Sequence, residues 1–371
     1  MSAIMRPDAP FEFQLSRHKG YGLFATRDIK AGTRVICEKA LIATPTVDTI
    51  DTIVTQLEAI SPEQRELYTE LSYHKRAVNT KQRSVLRKHL ATQHQYTGKA
   101  LDAALEDYVK MAAIYFTNAV QMGGKAQWGA GLFLTYSRVN HSCRPNLANT
   151  YNATLGMLTV HATRDIKAGE ELTTTYILNV RTKEQRQEQL QTGWGFKCQC
   201  ELCTGHDKEV AASETRRERM FEIDQGLAIF ENNNPLIRSH APGSFPKSTL
   251  EALAWSEELV SLLKQEQIFG MDLAQTYREC SKYSLAEGLY SKAIGYAKAE
   301  LDVEKVCVGE ETEHLKEGME GAVFWMRHLE NLGKGEMVRM RMCDKRNKKE
   351  VQKAERKKAK KGGGWGEVRS V

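Results

Sequence analysis

Asn140-His141-Ser142-Cys143-Arg144-Pro145-Asn146 is the stretch on which the reading of this sequence turns. Asn, His, Ser and Cys follow one another between two apolar, strand-like runs, and a proline turn closes them. Polar groups of this kind are costly to bury unless each finds a partner. The run is therefore placed for binding rather than for packing.

Composition limits what it can bind. The chain has 371 residues, 41% apolar and 27% charged, enough for two domains with cores of their own. No apolar run is long enough to span a bilayer, and Met1–Pro10 lacks the charged-then-apolar layout of a signal peptide. The expectation is an intracellular protein, nuclear or cytoplasmic, without a membrane partner. The net charge of +6 resides in one place: residues 344–371 hold 11 Lys/Arg against 4 Asp/Glu, leaving 42 against 43 in the rest. The body is thus no basic DNA-binding domain. Its tail, nearly free of apolar side chains, is expected to be disordered or a fraying helix, and it suits a nuclear signal, a weak nucleic-acid contact or mere solvation.

Cysteine spacing carries the next step. Cys198-x-Cys200-x-x-Cys203 sets three thiols within six residues, whereas Cys37, Cys280, Cys307 and Cys343 stand alone. Zinc takes a fourth ligand, and Cys143 is the first candidate, with His206 as the second. The competing reading, three reduced thiols on a surface loop, leaves an oxidation liability in the open.

Around these points the chain opens with short strands: His18-Lys19-Gly20-Tyr21-Gly22-Leu23-Phe24-Ala25 pairs a glycine turn with an apolar strand, and a further strand runs from Arg34 to Ile42. Thr26-Arg27-Asp28-Ile29-Lys30-Ala31-Gly32 recurs as Thr163-Arg164-Asp165-Ile166-Lys167-Ala168-Gly169, so two β-turn-β connections are built alike. Between them, residues 48–122 show helical spacing without a single cysteine. Strands are expected at Ala148–Tyr151, Met157–Ala162 and Glu171–Ile177, then a charged helix over Thr182–Gln191. From about Lys208 to the tail the pattern reads as amphipathic helical hairpins, loosely like tetratricopeptide units but without a clear 34-residue period.

Gly20-x-Gly22-Leu23-Phe24-Ala25, Asn140-His141-Ser142-Cys143-x-Pro145-Asn146, Gly169-Glu170-Glu171-Leu172 with Tyr176, and Phe196-x-Cys198-x-Cys200-x-x-Cys203 follow one another in an order that resembles the SET domain of protein lysine methyltransferases. The subgroup it is most like is that of the SET- and MYND-domain proteins and their fungal relatives, without the MYND zinc module, since the insertion has no cysteines to build one. The resemblance implies an α+β fold: SET-domain parts at 1–47 and 123–180, a helical insertion at 48–122, a zinc-bound post-SET segment at 181–206, an all-helical C-terminal domain at 207–343 and the basic tail at 344–371.

It also implies S-adenosyl-L-methionine as methyl donor and one structural Zn²⁺ held by Cys143, Cys198, Cys200 and Cys203. Lys19, Gly20, Tyr21, Asn118, Asn140, His141, Tyr176 and Phe196 would face the cofactor, and Tyr176 would be the catalytic residue. The expected partner is a lysine of a protein or peptide, histone or otherwise, met by a monomer. An inactive SET scaffold and a nucleic-acid-binding protein with a zinc staple are the alternatives. Because Cys143 stands three residues from Asn140, loss of zinc is expected to weaken cofactor binding.

Overall fold

The computed structural model describes residues 8–44, 50–123, 129–205, 208–232, 243–310, 315 and 321–335. His206 and the tail at 344–371 lie outside them. Among the described residues, ten short strands make three small sheets. The first, ordered β1-β2-β10-β7, contains β1 (Phe11–Ser16), β2 (Gly20–Ala25), β10 (Glu171–Thr174) and the two-residue β7 (Asn140–His141). The second runs β3 (Arg34–Glu38), β9 (Met157–Ala162), β8 (Leu147–Asn152), and the third β4 (Ile42–Thr44), β6 (Ala130–Leu132), β5 (Val120–Gln121). Apart from the parallel β10–β7 pair, neighbours are antiparallel.

The expected strand from Arg34 to Ile42 is two strands, because the chain changes sheets there: β3 pairs with β9, whereas β4 pairs with β6. Glu38 sits at the break. Its carboxylate accepts the Thr135 N–H at 2.9 and 3.1 Å and the Tyr136 N–H at 3.2 Å, so it fixes the short 3-10 turn Tyr136–Arg138 that leads into the central motif.

The sequence repeat forms one local unit. Ile29 and Ile166 exchange backbone hydrogen bonds of 2.8 Å in both directions. Asp28 accepts from Lys167 Nζ at 2.8 Å and Ala168 N at 3.0 Å; Asp165 accepts from Lys30 Nζ at 2.6 Å and Ala31 N at 3.0 Å. Gly32 and Gly169 both take positive φ, 81° and 82°, where a side chain is strained. Identical sequences thus make identical turns that clasp each other. The turns are exposed; what holds them is the apolar core beneath, where Leu23, Ile29, Leu158, Val160, Ile166 and Leu172 are buried.

Between β4 and β5 the chain is helical: α1 (Ile50–Ala59), α2 (Pro62–Thr69), α3 (Thr80–Gln93) and α4 (Gly98–Asn118). Two of these starts are capping boxes, Ser61 with Gln64 and Asn79 with Gln82, which satisfy orphan N–H groups locally. After β10 come α5 (Lys183–Trp194), the short α6 (Glu201–Thr204) and α7 (Lys208–Glu231). Three longer helices follow, α8 (Thr249–Gln265), α9 (Met271–Ala286) and α10 (Tyr290–Val308), and residues 322–335 are helical as well. Small residues stand where they cross, Ala252 on α8, Ala274 on α9, Ala293 and Ala297 on α10, all fully buried. The C-terminal end of α10 closes onto the β8–β9 sheet, where Cys307 and Val308 lie in one apolar group with Ala148. Among the described residues no helix is long and apolar enough to cross a membrane.

Leu23→Ala, which empties a fully buried site in the core, is expected to lower unfolding stability by about 3 kcal/mol. Lys167→Ala, on the exposed turn, should leave the urea midpoint near that of the parent. Urea denaturation followed by circular dichroism checks both; equal losses would show that the clasp, not the core, carries this unit.

Candidate active site and its cysteine cluster

Three strands deliver the first group of residues. β10 lies between β2 and β7, so Glu171 faces the Gly20–Gly22 turn on one side and Asn140 on the other. Glu171 Oε2 pairs with Lys19 Nζ at 2.8 Å, and its Oε1 accepts from Asn140 Nδ2 at 2.8 Å; the same amide is 3.3 Å from the Tyr21 carbonyl oxygen. The fit leaves no room at Gly22. A Cβ there would stand 2.6 Å from Asn140 Nδ2 and 2.8 Å from Glu171 Oε1, whereas one on Gly20, at φ 77°, would meet nothing within 4 Å. The turn therefore packs tightly on its inner side and borders open space on its outer side, with Tyr21 exposed beside it.

Asn146 locks the loop after β7. Its side-chain oxygen accepts the Thr173 N–H at 2.8 Å, and its amide donates to the Glu171 carbonyl at 2.9 Å and to Glu170 Oε1 at 3.1 Å. Ser142 N–H and Asn146 N–H donate to the carbonyls of Thr174 and Thr173. Residues 140–146 are in this way stitched to β10 along their length. The side chains of Asn140, His141, Ser142 and Asn146 are partnered, as burial requires.

Tyr176, just beyond the end of β10, points back under this loop. Its hydroxyl donates to the Val139 carbonyl at 2.7 Å, and burial pushes its phenol well above the ordinary tyrosine range. The His141 ring centre is 5.4 Å from that of Tyr176, and Phe196 is 6.3 Å from His141 and 6.4 Å from Tyr176. His141 Nδ1 accepts the Tyr176 N–H at 3.2 Å, which leaves the ring proton on Nε2, 3.5 Å from Cys143 Sγ. Burial lowers its pKa to about 4, so the imidazole is neutral at physiological pH.

Trp194 completes the aromatic group, its ring 5.3 Å from Tyr176 and its Nε1 donating to the Thr117 carbonyl at 3.1 Å. The expected helix end at Gln191 misses it. α5 runs on to Trp194 and stops at Gly195, whose φ of 78° is a left-handed cap. Through Thr117 the end of α4 abuts the aromatic group, and Asn118 is the next residue. The Asn118 amide donates to the carbonyls of Ser72 and Ile114, both at 2.8 Å. That amide is thus engaged within the insertion.

The four cysteines converge. Their sulfur atoms lie within 4.8 Å of one another, with Cys143 Sγ 3.7 Å from Cys203 and 4.0 Å from Cys198. Tetrahedral zinc with Zn–S bonds of about 2.3 Å sets its sulfurs about 3.8 Å apart, so the spacing fits that ion. The thiols also compete for protons: the hydrogen bond with Cys198 pushes Cys143 up, and the hydrogen bond from Cys143 pulls Cys200 down. A divalent cation removes that conflict.

A buried ionic network ties the C-terminal helices to this loop. The Arg217 guanidinium, fully buried on α7, donates to the Cys143 carbonyl at 2.8 Å and the Asn179 carbonyl at 3.1 Å, and pairs with Glu266 at 2.9 Å. Glu266 also meets Arg216 at 2.7 Å, Arg144 at 3.6 Å and the Ser213 hydroxyl at 2.6 Å. Burial opposes its ionisation, yet these partners outweigh burial and hold its carboxyl below the ordinary range. Glu171, Trp194, Arg217 and Glu266 were not assigned from sequence. Glu171 stands inside a quoted motif, but a glutamate there reads as an exposed strand residue until the neighbouring strands are known.

Residues 20–177 match the family model of the SET domain. Histone-lysine N-methyltransferase set5 of Schizosaccharomyces pombe is 27% identical over 299 residues, covering 78% of this chain and 77% of that protein. Histone-lysine N-methyltransferase SET5 of Meyerozyma guilliermondii is 52% identical over 81 residues, 21% of this chain and 17% of that protein. Histone-lysine N-methyltransferase SMYD3 of Homo sapiens is 41% identical over 103 residues, 28% of this chain and 24% of that protein. The chain thus spans about three quarters of the first relative and less than a third of the other two.

Arg217→Ala leaves Glu266 buried with one fewer cation and strips two carbonyls of their donor. A loss of about 3–5 kcal/mol in unfolding stability is expected, read from urea titrations; a loss below about 1 kcal/mol would mean the network is dispensable.

Proposed function

We propose that this chain, which carries a SET domain and belongs by its relatives with the SET5 and SMYD protein-lysine methyltransferases, transfers a methyl group from S-adenosyl-L-methionine to the ε-amine of a protein lysine. The observation that carries the reading is the placement of Tyr176: a phenol anchored on the Val139 carbonyl, walled by His141, Trp194 and Phe196, and joined through β10 to β2, which the glycine turn opens.

When bound, S-adenosyl-L-methionine supplies an electrophilic methyl carbon on a sulfonium. Lys19, Gly20 and Tyr21 border the open side of the glycine turn, where the donor is to be received. Asn140, His141 and Phe196 would line the same site from β7 and the segment after α5, with Asn118 at the end of α4, its amide held by the Ser72 and Ile114 carbonyls. Aromatic faces and backbone carbonyls suit a sulfonium, since both present negative potential without a competing full charge.

The nucleophile has to be a neutral amine. A free lysine has a pKa of about 10.4 and is charged at neutral pH, but loss of water in a narrow channel and the positive sulfonium already bound there disfavour the ammonium and lower that value. Tyr176 is not the base, because burial keeps it a phenol. Its hydroxyl proton is committed to Val139, so its oxygen lone pairs are left to accept an N–H of the incoming amine and aim it at the methyl carbon. In-line alignment of two ligands is itself worth a large share of such a barrier.

Cys143, Cys198, Cys200 and Cys203 would hold one structural Zn²⁺. The ion's contribution is to fix Phe196 and the loop of His141 in register, not to touch the reacting atoms. Histone lysines head the list of candidate substrates, on the names of the relatives; other protein lysines fit the same chemistry.

Tyr176→Phe removes only the hydroxyl. It is expected to lower methyl transfer by about two orders of magnitude or more while donor affinity stays within about threefold, because the oriented contact acts on the amine. Radiolabelled methyl incorporation into a protein mixture and calorimetric titration with S-adenosyl-L-methionine read the two quantities; unchanged incorporation would overturn the assignment.

A further inference from the structure

The helical segment between β4 and β5 holds a second convergence of ligating groups, remote in sequence from the cysteines. Glu58 is near the C-terminal end of α1, His89 lies in α3, and His94 caps α3 just before Gln95 turns to a φ of 53°. Their ligand atoms lie within 4.8 Å of one another. His94 Nε2 is 2.8 Å and His89 Nε2 3.4 Å from the same oxygen, Glu58 Oε1, and the Tyr108 hydroxyl of α4 donates to that oxygen at 2.8 Å. A carboxylate oxygen offers about two lone-pair sites, so three donors oversubscribe it. The His89 contact is the stretched one.

We propose that Glu58, His89 and His94 form a second metal site, separate from the cysteines, that takes a divalent transition-metal ion of the zinc class.

Three properties of the group carry this. The donor set is right: two imidazoles and a carboxylate suit zinc and its neighbours, and harder ions such as magnesium prefer oxygen alone. The spacing is close: ligands about 2.0–2.2 Å from a tetrahedral ion stand about 3.3–3.6 Å apart, so the His89 contact at 3.4 Å already fits and the His94 contact at 2.8 Å has to open by roughly half an ångström or a little more. The mount is firm: His94 is stacked on Tyr96 with ring centres 5.8 Å apart and lies 6.0 Å from Tyr108, so its ring is held facing Glu58. Tyr108, bonded to the ligating carboxylate, orients it as an outer partner does.

Three protein ligands leave a fourth position. All three residues line a cavity of about 740 Å³, whose wall also includes Asp51, Thr55 and Lys88. A water molecule, or a small anion that pairs with the Lys88 ammonium, has room to fill the coordination there. The ion would cross-link α1 and α3 and, through Tyr108, brace α4, the helix that ends at Asn118.

The test uses the full chain, freed of metal by a chelator under reducing conditions and titrated with Zn²⁺ and, separately, Co²⁺. Two equivalents of zinc per chain are expected, against one in His89→Ala/His94→Ala. Cobalt separates the sites: one equivalent gives sulfur-to-metal charge-transfer bands, the other ligand-field bands only, and the double variant loses the second while keeping the first. His94→Gln, a milder change that keeps a polar side chain on the surface, should weaken the second equivalent about a hundredfold or more. A single equivalent in the parent, all of it thiolate-bound, overturns the proposal, as does a double variant that still takes two.

Discussion

Four sulfur atoms must meet although their segments are 55 to 60 residues apart, and the candidate site depends on that closure. Cys143 belongs to the loop stitched onto β10, and the other three follow Phe196 on the segment after α5. Bringing them together lays Phe196 against His141 and Tyr176. Without a cation the four clustered thiols repel one another as they ionise; with one, the same convergence becomes a source of folding free energy. The aromatic wall is thus backed by the convergence of the four cysteines.

The C-terminal helices reinforce the same point from outside. Arg217 reaches the Cys143 carbonyl, the backbone of a cysteine in the cluster, and is held there by Glu266 at the end of α8. A cation buried against carbonyls is stable only where a carboxylate accompanies it, and the carboxylate in turn needs several donors. The helical region is therefore joined to the motif through an ionic core, besides its apolar packing of α10 on β8 and β9.

Much of this arrangement was legible in the sequence, and the exceptions have physical causes. Cysteine spacing announces itself because three thiols in six residues have few other uses, and Gly20-Tyr21-Gly22 stands out because glycine punctuates strands. Trp194 was missed since helical periodicity fades before the cap that ends α5; only the left-handed Gly195 marks the true stop. Arg217 and Glu266 read as surface charges on amphipathic helices, and nothing local tells a solvated arginine from one that caps distant carbonyls. The strand expected from Arg34 to Ile42 failed for a topological reason, the change of sheet at Glu38. Glu58, His89 and His94 come from two helices whose pairing no local pattern reveals.

In the proposed function the cysteine cluster and the donor-binding residues act as one unit, joined through Phe196 and His141. The most direct test is S-adenosyl-L-methionine affinity, measured calorimetrically on the chain as purified and after thiol-competing chelation, with helix content followed by circular dichroism. The account predicts an affinity loss of about tenfold or more, with most helix retained and affinity restored on adding Zn²⁺. Equal affinities in a chain proven to have lost the thiolate-bound metal would contradict it.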